Sequence, residues 1–329
     1  MNIPKIVTCV LFLGITSCQT ASDKGLEKFE LALELYGEQK YQEVISHLDS
    51  LLQIEPDNEA VWCLKGRSLF NLGQEVQGIS AIDRAIELDK LYYKAYKYRA
   101  LMKSVAKNSI YEETMSDFRI ALSQYPNDTI LATSKATYAL KKRHFVDALE
   151  SFKYVLNIDE YDQTSQVMIA SMMGELGDNK TALSRLNEII KNQDSIQITA
   201  YEERANIYMN LKKYDSAVID YETVLNYDKV FSIYPELEAY AYNNLGYAQY
   251  KSGNIPHAFK NINLSIEMEP SNSYAIRNRG EILILENRRD EGCVDLLKAK
   301  ELGFENLYGD EVEKLLLQYC DHNQGMISK

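Results

Sequence analysis

Proline is scarce in this chain, with 6 in 329 residues, and glycine is modest at 15. A fold of many short strands needs frequent turn residues, so the shortage points to long helices joined by short turns. Histidine is scarcer still: His47, His144, His257 and His322 are the only four. They are scattered along the chain, and nothing in the sequence gathers them as metal ligands. The usual signatures of enzymatic chemistry are missing. There is no GxxxxGK(S/T) loop to cradle phosphate, no HExxH pair for zinc and no GxSxG nucleophile turn. Carboxylates are plentiful but dispersed, as on solvated helix faces. The expectation is a protein that is not an enzyme and that needs no cofactor and no metal.

Positive charge is also in deficit. The chain has 36 basic residues against 48 acidic ones, a net charge of −12. Nucleic-acid binding depends on neutralising phosphates, so no nucleic-acid partner is expected. No polybasic patch is offered to anionic lipid headgroups. Long apolar runs are lacking too. The best one, Ile6 to Ile15, is shorter than the ~20 residues that span a bilayer.

That short run has a telling setting. Lys5 precedes it, and Thr16, Ser17 and Cys18 follow. Charge, apolar core and small residues, in that order, make a secretory signal peptide. The stretch Ile15-Thr16-Ser17-Cys18 resembles the lipobox of bacterial lipoproteins. In that family the cysteine thiol is lipidated and the chain is cut just before it. The resemblance implies residues 1–17 as signal peptide, lipidation at Cys18 and a short tether over 18–24. Several acyl chains would give lasting membrane attachment where one would not. Gln19 rather than Asp follows the cysteine. By the same resemblance the protein is expected in the bacterial cell envelope, as an outer-membrane lipoprotein. The other reading is an ordinary signal peptide with a chance cysteine.

The remainder repeats itself. GLEKFELALELYGEQKYQEVISHLDSLLQIEPDN, from Gly25, aligns with AYAYNNLGYAQYKSGNIPHAFKNINLSIEMEPSN, from Ala239, and both end in E-P-x-N. Each reads as two helices with apolar residues three and four apart on one face. The residues at position 20 are Val44, Gly78, Thr114, Ala148, Ala182, Ala217, Ala258 and Gly292, most of them small. Their separations are 34, 36, 34, 34, 35, 41 and 34. Position 8 is small throughout, at Ala32, Gly66, Ala100, Ala136, Ala170, Ala205, Gly246 and Gly280. Aromatics stand at position 4 in Trp62, Tyr96, Tyr201 and Tyr242. The pattern resembles the tetratricopeptide repeat (TPR). The resemblance implies an all-α superhelical solenoid over residues 25–304. Its eight repeats fall near 25–58, 59–92, 93–128, 129–162, 163–197, 198–238, 239–272 and 273–304. Val44 and Thr114 are larger than the family prefers. The third repeat has two extra residues near Lys107 to Ile110, and the sixth ends in a long linker, 228–238. Residues 305–320, with Leu307, Val312, Leu315, Leu316 and Tyr319, read as an amphipathic capping helix over the last exposed face. Residues 321–329 are a tail.

In TPR proteins the first helix of each repeat lines a concave groove, commonly with positions 2, 5, 9 and 12. The last three repeats place there Thr199, Glu202, Asn206 and Met209; Tyr240, Asn243, Tyr247 and Tyr250; then Tyr274, Arg277, Glu281 and Ile284. Asparagine offers donor and acceptor to a peptide backbone, and tyrosine offers apolar area with a polar tip. A protein or peptide partner is therefore expected around Asn206, Tyr240, Asn243, Tyr247, Tyr250 and Arg277. The competing reading is that the chain's 24 tyrosines simply pack between repeats. The chaperone-binding carboxylate clamp of some relatives is broken here. Asn206 and Asn244 match its asparagines, but Glu202, Tyr274 and Asn278 stand where it has basic residues. The ending GCVDLLKAKELG…LLLQYC resembles the closing segment of TPR proteins of Bacteroidota. In an oxidising compartment it implies either a disulfide between Cys293 and Cys320 or two buried thiols. Cys63 reads as a small core hydrophobe. The functional expectation is a membrane-anchored scaffold for protein–protein interaction. The rivals are a regulatory adaptor docking a cell-wall enzyme and, third, an unrecognised envelope enzyme.

Overall fold

The computed structural model describes residues 15–192, 198–226, 235–305 and 309–320, with residues 15–24 and 235–236 by backbone only. All regular structure among the described residues is helical. The chain divides into two compact units, residues 1–162 and 163–329. In the first unit the helices are α1 (Ile15–Gly37), α2 (Tyr41–Leu52), α3 (Glu59–Asn71), α4 (Glu75–Leu88), α5 (Tyr93–Val105), α6 (Tyr111–Gln124), α7 (Thr129–Lys141) and α8 (Phe145–Ile158). In the second they are α9 (Gln163–Glu175), α10 (Asn179–Asn192), α11 (Ile198–Asn210), α12 (Tyr214–Leu225), α13 (Pro235–Lys251), α14 (Ile255–Met268), α15 (Ser273–Leu285), α16 (Arg289–Glu301) and α17 (Glu311–Tyr319). Within each unit a helix packs on its hairpin partner and on the next hairpin, so the core is a row of small clusters rather than one centre.

The boundaries follow from particular residues. The asparagine of E-P-x-N begins the next repeat: Asn58 Oδ1 accepts from the backbone N–H groups of Ala60 and Val61, and Asn272 Oδ1 from that of Ala275. Asp128 does the same for Leu131. Each satisfies helix-start donors that would otherwise be unpaired. Inside most hairpins the turn has three residues, and its middle one takes positive φ. Gly73, Gly177 and Gly253 do so freely, whereas Gln39, Arg143, Lys212 and Asn287 do so with side chains, at φ of 61°, 60°, 58° and 64°. The third repeat has no such residue; its two extra residues lengthen the turn between α5 and α6.

Positions 8 and 20 meet where the hairpin helices cross. A Cβ on Gly66 would lie 2.7 Å from the carbonyl oxygen of Gly78, and one on Gly292 would lie 2.7 Å from that of Gly280. Val44 and Thr114, the two larger residues at position 20, each face a repeat with alanine at position 8, and all four residues are fully buried. Thr114 satisfies its hydroxyl on the carbonyl of Ile110.

At the C-terminal end, Val312 and Leu316 of α17 join Ile276, Ile284, Leu296, Ala299 and Phe304 in one cluster, with Leu315 and Tyr319 packed beside it. Of the expected cap over 305–320, residues 306–308 lie outside the described residues, and the described helix runs from Glu311 to Tyr319. Gly309, at φ 85°, precedes a helix that begins at Glu311. Leu307 lies outside the described residues. Cys293 on α16 and Cys320 at the end of α17 are joined as a disulfide with Cα atoms 5.9 Å apart. Cys63 is a buried free thiol, and burial pushes it up to about 12. The expected signal peptide lies outside the described residues up to position 14. The backbone of residues 18–24, the expected tether, belongs to α1, and the side chain of Cys18 lies outside what is described.

Candidate functional site

The second unit contains an open cavity of about 550 Å³. It is walled by α11, α13 and the start of α15, with contributions from α9 and α12. Helical spacing brings Asn206, Met209, Tyr240, Asn243, Tyr247 and Tyr274 to its surface, all from the groove positions expected of the repeat. Glu175, Asn210, Tyr214, Tyr221, Asn244 and Lys251 line it too. Glu175, Asn210 and Lys251 end their helices, and Tyr214 and Tyr221 belong to a second helix, so a rule about first-helix positions passes them over. Tyr250 and Arg277, expected at the site, are not among the lining residues.

Two networks fix the floor. In the first, Asn278 Nδ2 donates to Asn243 Oδ1 at 2.9 Å, and Asn243 Nδ2 donates to Asn244 Oδ1 at 3.2 Å. Arg277 Nη1 donates to Asn278 Oδ1 at 2.9 Å and to Glu281 Oε2 at 2.6 Å. Lys251 and Tyr250 also converge on Glu281, at 3.0 and 3.4 Å. Arg277 further pairs with Glu311 of the cap helix at 3.3 Å. Asn243, Asn278 and Arg277 are all buried. Asn243 is therefore a packing residue as well as a lining one. Replacing it would strand the buried amide of Asn278, at a cost of about 1–3 kcal/mol.

The second network is acidic. Tyr221 Oη donates to Asn206 Oδ1 at 2.6 Å, and Ser171 Oγ donates to Glu203 Oε2 at 2.7 Å. Asn206 also hydrogen-bonds Glu203. Burial, then the neighbouring Glu203, lifts the Glu202 carboxyl to about 7. Burial raises Glu203 as well, and burial with both carboxylates raises the Tyr221 hydroxyl. What faces an incoming ligand is what remains: the exposed ring of Tyr240, the exposed Asn210 and Glu175, and the partly exposed Tyr214 and Tyr247. The surface offers hydrogen bonds and aromatic faces on a fixed floor. Among the described residues no three of His, Cys, Asp and Glu are grouped to hold a metal. His144 stacks on Tyr111 and His257 contacts Asn254, well separated in sequence.

A family model for the tetratricopeptide repeat matches residues 198–231, the sixth repeat, which supplies Asn206 and Tyr221. The all-helical architecture resembles the crystal structure of a tetratricopeptide repeat protein from Parabacteroides merdae, with a TM-score of 0.52 over 90% of this chain and 98% of that one, at 15% identity. The fold is a tetratricopeptide-repeat solenoid. The chain also resembles yeast Tom70, with a TM-score of 0.60 over 85% of this chain and 58% of that one, at 13% identity. In sequence it is similar to a DnaJ homolog subfamily C member 3 homolog of Dictyostelium discoideum, 27% identical over 227 residues, which is 65% of this chain. The chain spans 40% of that relative's length.

Proposed function

We propose that this TPR solenoid is a scaffold for protein–protein interaction, anchored to a bacterial cell-envelope membrane by lipid on Cys18. It holds a segment of a protein partner against α11, α13 and α15. The observation that carries the reading is the cavity of about 550 Å³ lined by tyrosine and asparagine on helices locked by the two networks. A fixed surface of this kind binds without first having to be ordered, and tyrosine contributes large contact area at small entropic cost. The order Lys5, apolar run, Thr16, Ser17, Cys18 supports the anchor.

The test uses the full chain in its native membrane. A photo-reactive phenylalanine replaces Tyr240, which is 43% exposed at the cavity, and in a control replaces Tyr161, which is 78% exposed in the other unit. A discrete protein adduct from position 240 that is missing from position 161 is the expected result. Identical products from both positions, or none from 240, would move the binding surface elsewhere. For the anchor, Cys18→Ser is expected to release the protein to the soluble fraction. Unchanged partitioning, with no acyl mass on the wild type, defeats that part of the reading.

A further inference from the structure

A separate, smaller cavity of about 210 Å³ lies in the first unit, between α1, α3 and α5. Its walls include Tyr36, Arg67, Phe70, Tyr98, Leu101 and Met102. Arg67 is held there by rings alone. Its guanidinium carbon lies 4.4 Å from the centroid of Tyr36 and 3.9 Å from that of Tyr98. Asn71 Nδ2 donates to the Tyr36 hydroxyl at 2.9 Å and steadies that ring. The three central residues come from three successive repeats, at positions 12, 9 and 6.

Six of the ten other arginines of the chain, Arg84, Arg99, Arg204, Arg277, Arg279 and Arg288, each reach a carboxylate. Arg67 is partly buried, yet among the described residues it has no carboxylate and no hydrogen-bond acceptor. Contact with ring faces occupies none of the N–H donors along the guanidinium's edge. That edge lines a cavity whose other walls are largely apolar.

We propose that this cavity binds a peptide carboxylate. Arg67 makes the bidentate contact, and Phe70, Leu101 and Met102 take the apolar group next to it. A guanidinium fork and a carboxylate match in shape and in charge. A phosphate dianion would leave one charge uncompensated against apolar walls. The residues involved do not correspond to the clamp positions that are broken in repeats six to eight.

The experiment follows the Nε–Hε resonance of Arg67 in the isotope-labelled full chain, assigned by its loss in Arg67→Lys. Four probes are titrated. N-acetylphenylalanine carries a C-terminal carboxylate. N-acetyl-phenylalanyl-glutamic acid amide carries a side-chain carboxylate. N-acetylphenylalaninamide is the neutral control, and inorganic phosphate is the rival anion. A saturable shift is expected with one or both carboxylates, at least about tenfold tighter than with the amide or phosphate. The tighter of the two carboxylates identifies the source. Folded Arg67→Gln, checked by circular dichroism, is expected to lose carboxylate binding in calorimetry. The proposal is overturned by equal affinity for acid and amide, by tighter binding of phosphate, by no saturable shift with either carboxylate, or by Arg67→Gln binding as well as wild type.

Discussion

Repeats three and four carry a cation at the same place and treat it in opposite ways. In repeat three, Arg99 at position 7 grips Asp117, at position 23 of its own hairpin, through Nε and Nη2 at 2.8 and 2.6 Å. Its Nη1 reaches back to Asp83, at position 25 of the preceding repeat, at 2.7 Å. The brace recurs. Arg204 joins Asp220 and Asn187, and Arg279 joins Asp295 and Asn263, each with the same atoms in the same roles. In repeat four the corresponding cation is Lys135. Position 23 is Ser151, whose buried hydroxyl has no partner among the described residues, and position 25 of the preceding repeat is Arg119. Burial, then Arg119, holds the Lys135 amine below the usual lysine range, against the pull of Asp147 and Glu150. One charge placed in one scaffold is thus a clasp between repeats or a local burden. Which it becomes depends on whether a carboxylate stands opposite.

The most forceful way to break the contrast is to remove that carboxylate. Asp117→Ala leaves Arg99 largely covered, with Asp83 as its remaining acid. A loss of about 3 kcal/mol is expected in denaturant unfolding, because a buried charge keeps its desolvation cost without its partner. Asp117→Asn, which keeps one acceptor, is expected to lose less. If Asp117→Ala unfolds like wild type, the brace is ornament rather than clasp.

Glu202 sharpens the contrast from the acid side, since among the described residues only burial and Glu203 act on it. Its folded carboxyl titrates near 7, against 4.5 when unfolded. Between those values the folded state holds a proton that the unfolded state has lost, so stability falls as pH rises through that window. The cost is about 3 kcal/mol. Glu202→Gln is therefore expected to raise Tm at pH 8 while changing little at pH 4. A Tm gain of equal size at both pH values would trace the effect to packing instead of charge.

The smallest effect is expected from repair. Ser151→Asp gives repeat four the acid at position 23 that repeats three, six and eight possess. A gain of about 0.5–1 kcal/mol is expected, together with a rise in the Lys135 pKa measured by side-chain NMR. A loss of stability would show that Arg119 and Lys135 are already balanced by Asp147 and Glu150.

Much of this was legible in the sequence. The period, the small residues at positions 8 and 20 and the asparagine of E-P-x-N determined the helix hairpins, their crossings and their starts. Those features act through local sterics and through hydrogen bonds a few residues apart, which a linear pattern records. Six of the twelve residues lining the larger cavity also followed from register alone. The remainder depended on which side chains meet. Asn243 and Arg277 have the composition of a binding surface, but the turn of α15 against α13 buries them in a shared network with Asn278 and Glu281. Arg67 and Arg99 stand two positions from the same place in neighbouring repeats and look alike as letters. Packing gave Arg99 one carboxylate from its own hairpin and one from the preceding repeat, and gave Arg67 two tyrosine rings from the repeats on either side, because a side chain's partner is set by which helices meet around it.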